Sequence, residues 1–330
     1  MDFHAEFFPK TFPVKINHRQ KLLLVGSCFT EQIGNKLSQH KFKVLENPNG
    51  ILFNPVSICH AVSSYASGKN YSADELFYHN ELWGSWQHHT KFSSIDKDKA
   101  VDAINYSQQK ANEYIKDTDW VLLTLGSAFV YEDTSASDTG NYENVVANCH
   151  KVPADKFNRR LLDTVEIKTV LSSMMQAVKK INPSMKFIFT ISPVRHLREG
   201  FIENNRSKAA LIQSVHSLVN ELDCFYFPAY ELVIDDLRDY RFYAEDMVHP
   251  NYAATNYVWE KFITTCIDEA SQQLMKEIAI IVAAKNHKAF NPTSAQHKKF
   301  LQSNLDRVEA MRIKYPYINL DEEAAFFGLQ

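Results

Sequence analysis

Two short segments at opposite ends of the chain carry the residue types of nucleophilic acyl chemistry. Gly26-Ser27-Cys28-Phe29-Thr30-Glu31 places a hydroxyl directly after the apolar run Leu22-Leu23-Leu24-Val25. Asp246-Met247-Val248-His249-Pro250 places a carboxylate and an imidazole three residues apart. A neutral serine hydroxyl is a weak nucleophile. It needs a base within hydrogen-bond reach, and the base needs an acceptor that fixes its tautomer. Ser27, His249 and Asp246 are those three parts. In a turn or helix, residues i and i+3 share a face, so Asp246 can accept from His249 Nδ1 and leave Nε2 for the serine proton. A Ser at a helix start also lies beside unpaired backbone N–H groups, where the helix dipole favours negative charge. The competing readings are a plain N-cap for Ser27 and a surface pair for Asp246 and His249. Pro250 suits the first turn of a following helix, which would make His249 its cap.

Other candidates surround these two segments. Cys28 is a rival nucleophile, since a helix N-terminus lowers a thiol pKa, but its neighbouring position on the turn favours core packing. Asn148-Cys149-His150-Lys151 is a dense polar cluster in which His150 either binds substrate, serves as an oxyanion donor or positions a carboxylate, or is a turn residue facing solvent. Arg195, followed by His196, could grip a carboxylate or sulfate with its planar fork, or pair with a nearby acid. Trp83, Trp86 and Phe92 could line an acyl or sugar pocket, or form a satellite core. His88-His89 and Cys149-His150 are adjacent pairs, without the gap of two to four residues that zinc pairs use. No metal and no cofactor is expected.

The elements that must position these residues follow from apolar patterning. Apolar runs at 22–25, 43–45, 120–125, 186–191 and 224–227 read as strands. Helical periodicity covers 30–39, 100–115, 161–181, 207–222 and 252–283. Short buried strands separated by helices imply a mostly parallel sheet covered on both faces, with ligands beyond the strands' carboxyl ends. Ser27, Gly126-Ser127 and Ser192-Pro193-Val194-Arg195-His196 all follow such strands. Two insertions interrupt the pattern. Residues 68–98 are aromatic and His-rich, and residues 128–160 are polar, with a hairpin expected around Asp138-Thr139-Gly140-Asn141. The expected organisation is one α/β domain over residues 1–285 and a helical C-terminal extension, 286–330, packed on it, with a helix over 294–313.

Composition narrows the function classes. The chain has 330 residues, 45% hydrophobic and 23% charged, with a net charge of −3. That charge gives no reason to expect nucleic acid or an anionic membrane as a partner. The longest apolar runs, 121–125 and 278–284, fall far short of the about 20 residues of a membrane span. The first residues, Met1-Asp2-Phe3-His4-Ala5-Glu6, lack the pattern of a signal peptide. Five scattered cysteines (Cys28, Cys59, Cys149, Cys224, Cys266) form no CxxC pair. The expected location is therefore the cytoplasm, with reduced thiols. Oligomeric state is not encoded in any of these features.

Five blocks in order resemble the GSCFA family of the SGNH (GDSL-like) hydrolase superfamily. They are Gly26-Ser27-Cys28-Phe29-Thr30, with Thr where the family name has Ala; 47–55 (NPNGILFNP); 123–128 (LTLGSA) with Asn148-Cys149-His150-Lys151; Ser192-Pro193-Val194-Arg195-His196; and Asp246-Met247-Val248-His249-Pro250. The resemblance implies a flavodoxin-like α/β/α fold and a serine esterase mechanism, with Ser27, His249 and Asp246 in the catalytic roles. It implies an ester substrate, such as an acylated carbohydrate. Oxyanion donors in the superfamily include a Gly after the second strand, for which Gly50 is the counterpart, and an Asn after the third. Gly126-Ser127-Ala128 offers no Asn, so Asn54, Asn148 or a backbone N–H would have to serve. The alternatives are a catalytically silent scaffold that binds a glycan or a partner, and an acyltransferase using the same triad.

Overall fold

The computed structural model describes residues 5–136 and 142–328. The turn expected at Asp138-Thr139-Gly140-Asn141 lies outside the described residues. In chain order the first half contains β1 (Lys21–Gly26), α1 (Cys28–Gln39), β2 (Lys43–Glu46), α2 (Pro55–Ser67), β3 (Phe77–His79), β4 (Leu82–Gly84), α3 (Lys97–Ile115), β5 (Trp120–Leu125), β6 (Phe129–Asp133), β7 (Val145–Val146) and β8 (Phe157–Leu161). The second half contains α4 (Thr164–Lys179), β9 (Lys186–Ile191), α5 (Phe201–Glu221), β10 (Phe225–Tyr226) and the short α6 (Ala229–Glu231). It ends with α7 (Tyr252–Cys266), α8 (Glu269–Lys285), α9 (Ala295–Lys314) and α10 (Asp321–Gly328).

The continuous apolar runs become the parallel strands of one sheet, ordered β10-β9-β5-β1-β2. This is the flavodoxin-like order, and the fold is a three-layer α/β/α. Side chains alternate across the pleat, so each run feeds two cores. Leu23, Val25, Val121, Leu123, Phe187 and Phe189 pack with α2, α4 and α5. Leu22, Leu24, Trp120, Leu122 and Ile188 pack with α1 and α7 on the other side. That double burial explains why the strands show no polar alternation. The register pairs Gly26 with Thr124 and Leu125 with Ile191, which aligns the carboxyl ends of β1, β5 and β9 on one rim. Gly26 has φ +152°, and a Cβ there would lie 2.3 Å from the Thr124 carbonyl oxygen. Only glycine lets β1 turn into α1 this close to β5.

Both insertions carry small antiparallel sheets: β3-β4, which strand patterning had not separated from loop, and β7-β6-β8, in the segment where a hairpin was expected. The expected long helix over 252–283 is two helices. Ile267 is extended and bridges Ile16, whose backbone bonds both Cys266 and Asp268. Asp268 then caps α8 through the Ser271 N–H at 2.7 Å. Apolar periodicity ran through the break because Cys266, Ile267 and the inner face of α8 are all buried. His249 does not cap α7. Asn251 does, accepting from the Ala254 N–H. The C-terminal tail holds a further helix, α10. Leu274, Ile278 and Ile281 of α8 share a separate core with Val308 and Met311 of α9 and Phe327 of α10. Lys41 pairs with the buried Glu323 at 2.8 Å, and Arg19 lies over Tyr317, linking these helices to the sheet region.

Candidate active site

Ser27 caps α1, its Oγ accepting from the Phe29 N–H at 3.3 Å. That is long for such a bond, so the cap is weak. Its own N–H donates to the Thr124 carbonyl, and the Gly26 N–H before it donates to Asn47 Oδ1 at 2.9 Å. Ser27 is 0% exposed. Cys28 is partly exposed, and burial raises its thiol pKa, so at neutral pH it is a protonated thiol rather than a thiolate.

The Asp246–His249 turn is assembled in full. His249 Nδ1 bonds Asp246 Oδ2 at 2.7 Å. Asp246 Oδ1 accepts from the N–H groups of Val248 and His249 at 2.9 and 3.0 Å. The donors from His249 and Val248 hold the Asp246 carboxyl down at about 2, so it is ionised across the physiological range. Met247 adopts φ +58° to let the turn close. Arg195 braces the turn from β9. Its backbone N–H donates to the Val248 carbonyl and its Nη1 to the Met247 carbonyl, each at 3.2 Å, while its guanidinium lies 4.1 Å from the Tyr243 ring centroid. The turn stands in solvent: the side chains of His249 and Asp246 are 44% and 49% exposed. Among the described residues, no hydrogen bond joins His249 Nε2 to Ser27.

Between the turn and α1 lies a buried polar floor, where Gly126 and His196, both at expected strand ends, meet Lys208, which sequence reasoning had not assigned. Lys208 of α5 is sealed inside. Its Nζ donates to the carbonyls of Gly126 and Ser192, each at 2.7 Å, tying together the chain ends that follow β5 and β9. Burial pulls its ammonium pKa down to about 7, and the Cys28 thiol partly opposes this. His196 lies on Gly126: a Cβ on that glycine would sit 3.2 Å from His196 Nε2 and 3.2 Å from the Phe53 ring. Burial first, then the fields of Lys208 and His249, lowers the His196 imidazole to about 3. Its buried Nε2 has no hydrogen-bond partner. One signal for Lys208 was present in the sequence: it shares the inward face of α5 with Asn204, Ser207, Leu211 and Ser214, a stripe of polar residues on a buried helix face.

The remaining nominated residues are engaged elsewhere. The Gly50 N–H donates to the Asn47 carbonyl at 2.8 Å, and the insertion packs so closely that a Cβ on Gly50 would meet His89 at 2.3 Å. Asn54 caps α2, accepting from the Ser57 N–H and donating to Ser57 Oγ. The Gly126 N–H donates to the Phe53 carbonyl. Asn148 accepts from the His150 N–H, and His150 Nε2 donates to the Ser85 carbonyl. Trp86 stacks on Phe77 at 3.7 Å, Trp83 packs on Tyr78, and Phe92 packs on His88. The aromatic insertion is thus largely a core of its own, bordering a cavity of about 330 Å³ lined by Phe77, His79, His150 and Lys151. Among the described residues, no group of three or more His, Cys, Asp or Glu side chains could hold a metal ion. No helix there is long and apolar enough to cross a membrane.

Comparison with known proteins gives family matches in two segments. Residues 21–262 match the GSCFA family, and residues 278–330 match the C-terminal domain of GSCFA domain proteins. No curated protein matches. Among solved structures, the chain is similar to a carbohydrate esterase family 3 protein from Talaromyces cellulolyticus. The identity is 11%, with 79% of this chain and 99% of that one covered and a TM-score of 0.34. It is also similar to the acetyl xylan esterase Est2A from the rumen bacterium Butyrivibrio proteoclasticus. There the identity is 11%, with 81% and 66% covered and a TM-score of 0.36.

Proposed function

We propose that this chain, which belongs to the GSCFA family, is a serine-dependent hydrolase of ester bonds. Ser27 is the nucleophile, His249 the base and Asp246 its orienter. The observation that carries the reading is the 2.7 Å bond from His249 Nδ1 to Asp246, which fixes the ring so that Nε2 is the basic nitrogen. A carboxylate held ionised and tied down by two further N–H donors also steadies the imidazolium that forms during attack.

In the first step the Ser27 Oγ–carbon bond forms, the carbonyl π pair moves onto oxygen, and the serine proton passes to His249 Nε2. Collapse breaks the ester C–O bond, and the leaving alcohol takes that proton. Water then repeats the sequence on the acyl-enzyme and releases the acid. Ser27 is covered in this conformation, so the side chains over it must move for an ester to enter and for His249 to reach the hydroxyl. The confined floor over Gly126 favours a small acyl group, such as acetate carried on a carbohydrate. The five cysteines are free, which fits a reducing, cytoplasmic setting.

The same coverage of Ser27 favours one second reading, a silent scaffold that holds a glycan or protein partner. A fluorophosphonate probe separates the two. The hydrolase takes one probe per chain, and Ser27→Ala takes none and loses p-nitrophenyl acetate hydrolysis. A wild-type chain that resists the probe over hours, at a temperature where it remains folded, belongs to the scaffold reading. An acyltransferase would take the probe but release its acyl group to an added alcohol faster than to water.

A further inference from the structure

An ester hydrolase must stabilise the oxyanion, and the loop after β5, Gly126-Ser127-Ala128, carries no side-chain amide. Ala128 stands two residues after Gly126 and is fully buried. Of the nominated replacements, Asn54 gives its amide N–H to Ser57 Oγ, and Asn148 is held in a turn through its Oδ1, which accepts from the His150 N–H. The backbone N–H groups of Ser27 and Gly50 both donate to carbonyls. We propose that His196 supplies the missing donor. Its Nε2–H would bond the ester carbonyl oxygen as that oxygen gains charge during attack by Ser27.

Four observations carry this. His196 follows β9, the strand beside β5, and its ring lies on Gly126, with Nε2 at 3.2 Å from the position a Cβ would take. The ring is held edge-on to Phe53, and the His196 N–H is anchored on Asn204 Oδ1 at 2.9 Å. The preceding residue, Arg195, bonds the Met247 and Val248 carbonyls, so the donor and the catalytic turn are braced by one segment. Nε2 is also buried without a hydrogen-bond partner, so no protein group competes for its N–H. The imidazole is neutral through the physiological range, held so by burial, Lys208 and His249. It can therefore donate a hydrogen bond without competing with His249 for the proton, as a neutral imidazole electrophile does. A Cβ at Gly126 would press on the ring at 3.2 Å, so the glycine lets the imidazole lie this close. Asn47 Nδ2 is another buried orphan near Ser27, but it follows β2, on the far side of β1 from the strand that braces the catalytic turn.

The inference rests on the serine esterase reading, and the test keeps the two apart. Ser27→Ala, His196→Phe, His196→Ala and His196→Asn are compared with wild type on p-nitrophenyl acetate, alongside the rate of fluorophosphonate labelling. His196→Phe fills the site without a donor. It is expected to lose about 10²–10³-fold in kcat, with KM changed only a few-fold and a matching loss in labelling rate. His196→Asn restores a donor and should recover about tenfold over His196→Ala. His196→Phe or His196→Ala within threefold of wild type, with Ser27→Ala dead, overturns the role of His196 and leaves the serine reading standing. An active Ser27→Ala overturns the reading itself. If His196→Phe does not fold, the wild-type phosphonate adduct decides. A protected, downfield His196 Nε2–H proton supports the donor, and an Nε2 without its proton overturns it.

Discussion

The Asp246–His249 turn and the floor beneath it solve opposite problems. Both carboxylate oxygens of Asp246 have partners within three residues of sequence, and the turn stands in solvent. The floor is sealed, and its groups come from four distant segments: Ser27 after β1, Gly126 after β5, His196 after β9, and Lys208 within α5. It also keeps an unpartnered imidazole nitrogen and an ammonium without a carboxylate. A base and its orienter can be built locally, because i and i+3 side chains meet in any tight turn. A nucleophile with its surroundings cannot, because the field and the donors must come from several strand ends at once. The turn is robust and accessible, while the floor is costly and concealed.

Four changes break or sharpen that contrast. Asp246→Asn leaves the turn's shape but favours the wrong His249 tautomer. We expect kcat for ester hydrolysis to fall about 10⁴-fold with the melting temperature nearly unchanged, and activity within tenfold of wild type would remove Asp246 from the mechanism. Gly26→Ala strikes the floor instead. The added methyl meets the Thr124 backbone at 2.3 Å, and β1 must separate from β5. Urea titration should show a loss of about 3 kcal/mol or more, at the upper end of single substitutions, whereas a loss below about 1 kcal/mol would show that the strand ends yield easily.

Lys208→Met tests the buried ammonium. Burial holds the folded pKa at about 7, below the ordinary lysine value of about 10.4. Between those values the unfolded chain binds a proton that the folded chain lacks, so this group makes stability rise with pH across that window. The variant should lose that rise, up to about 1.4 kcal/mol per pH unit in denaturant titrations at successive pH values. An unchanged slope would mean that Lys208 stays charged inside. Arg195→Met has the smallest effect. The turn keeps its own bonds but loses its brace on the Met247 carbonyl, so kcat should fall about tenfold, equivalent to about 1.4 kcal/mol. An undiminished kcat would show that the turn needs no support from β9.

The same contrast governs what could be read from the chain. The strands β1, β5 and β9 were legible because parallel strands buried on both faces are unbroken apolar runs bounded by Gly or Pro. The Asp246–His249 pair was legible because its partners are three residues apart. The split between α7 and α8 was not, since Ile16, some 250 residues away, supplies the bonds that extend Ile267. The placements of Gly50, Asn54 and His150 were nominated by type and position. Their N–H and amide groups went instead to a turn, a cap and the Ser85 carbonyl. For Gly50 and Asn54 the competitors are neighbours three residues away, which need no help from the fold, whereas the Ser85 carbonyl reaches His150 only through the tertiary structure. Lys208 was not singled out in the sequence, because only the packing of α5 turns its face inward.

The amino-acid sequence by itself determined the layered α/β architecture, the strand-to-helix turn at Ser27 and the local bond between Asp246 and His249, because each depends on side-chain periodicity or on neighbours a few residues apart. Only the tertiary structure decided that Ser27 is covered, that His196 lies on Gly126 with its Nε2 unpartnered, and that Lys208 joins the ends of β5 and β9. Those outcomes depend on the aligned register of parallel strands, which brings groups from remote segments together beneath the surface.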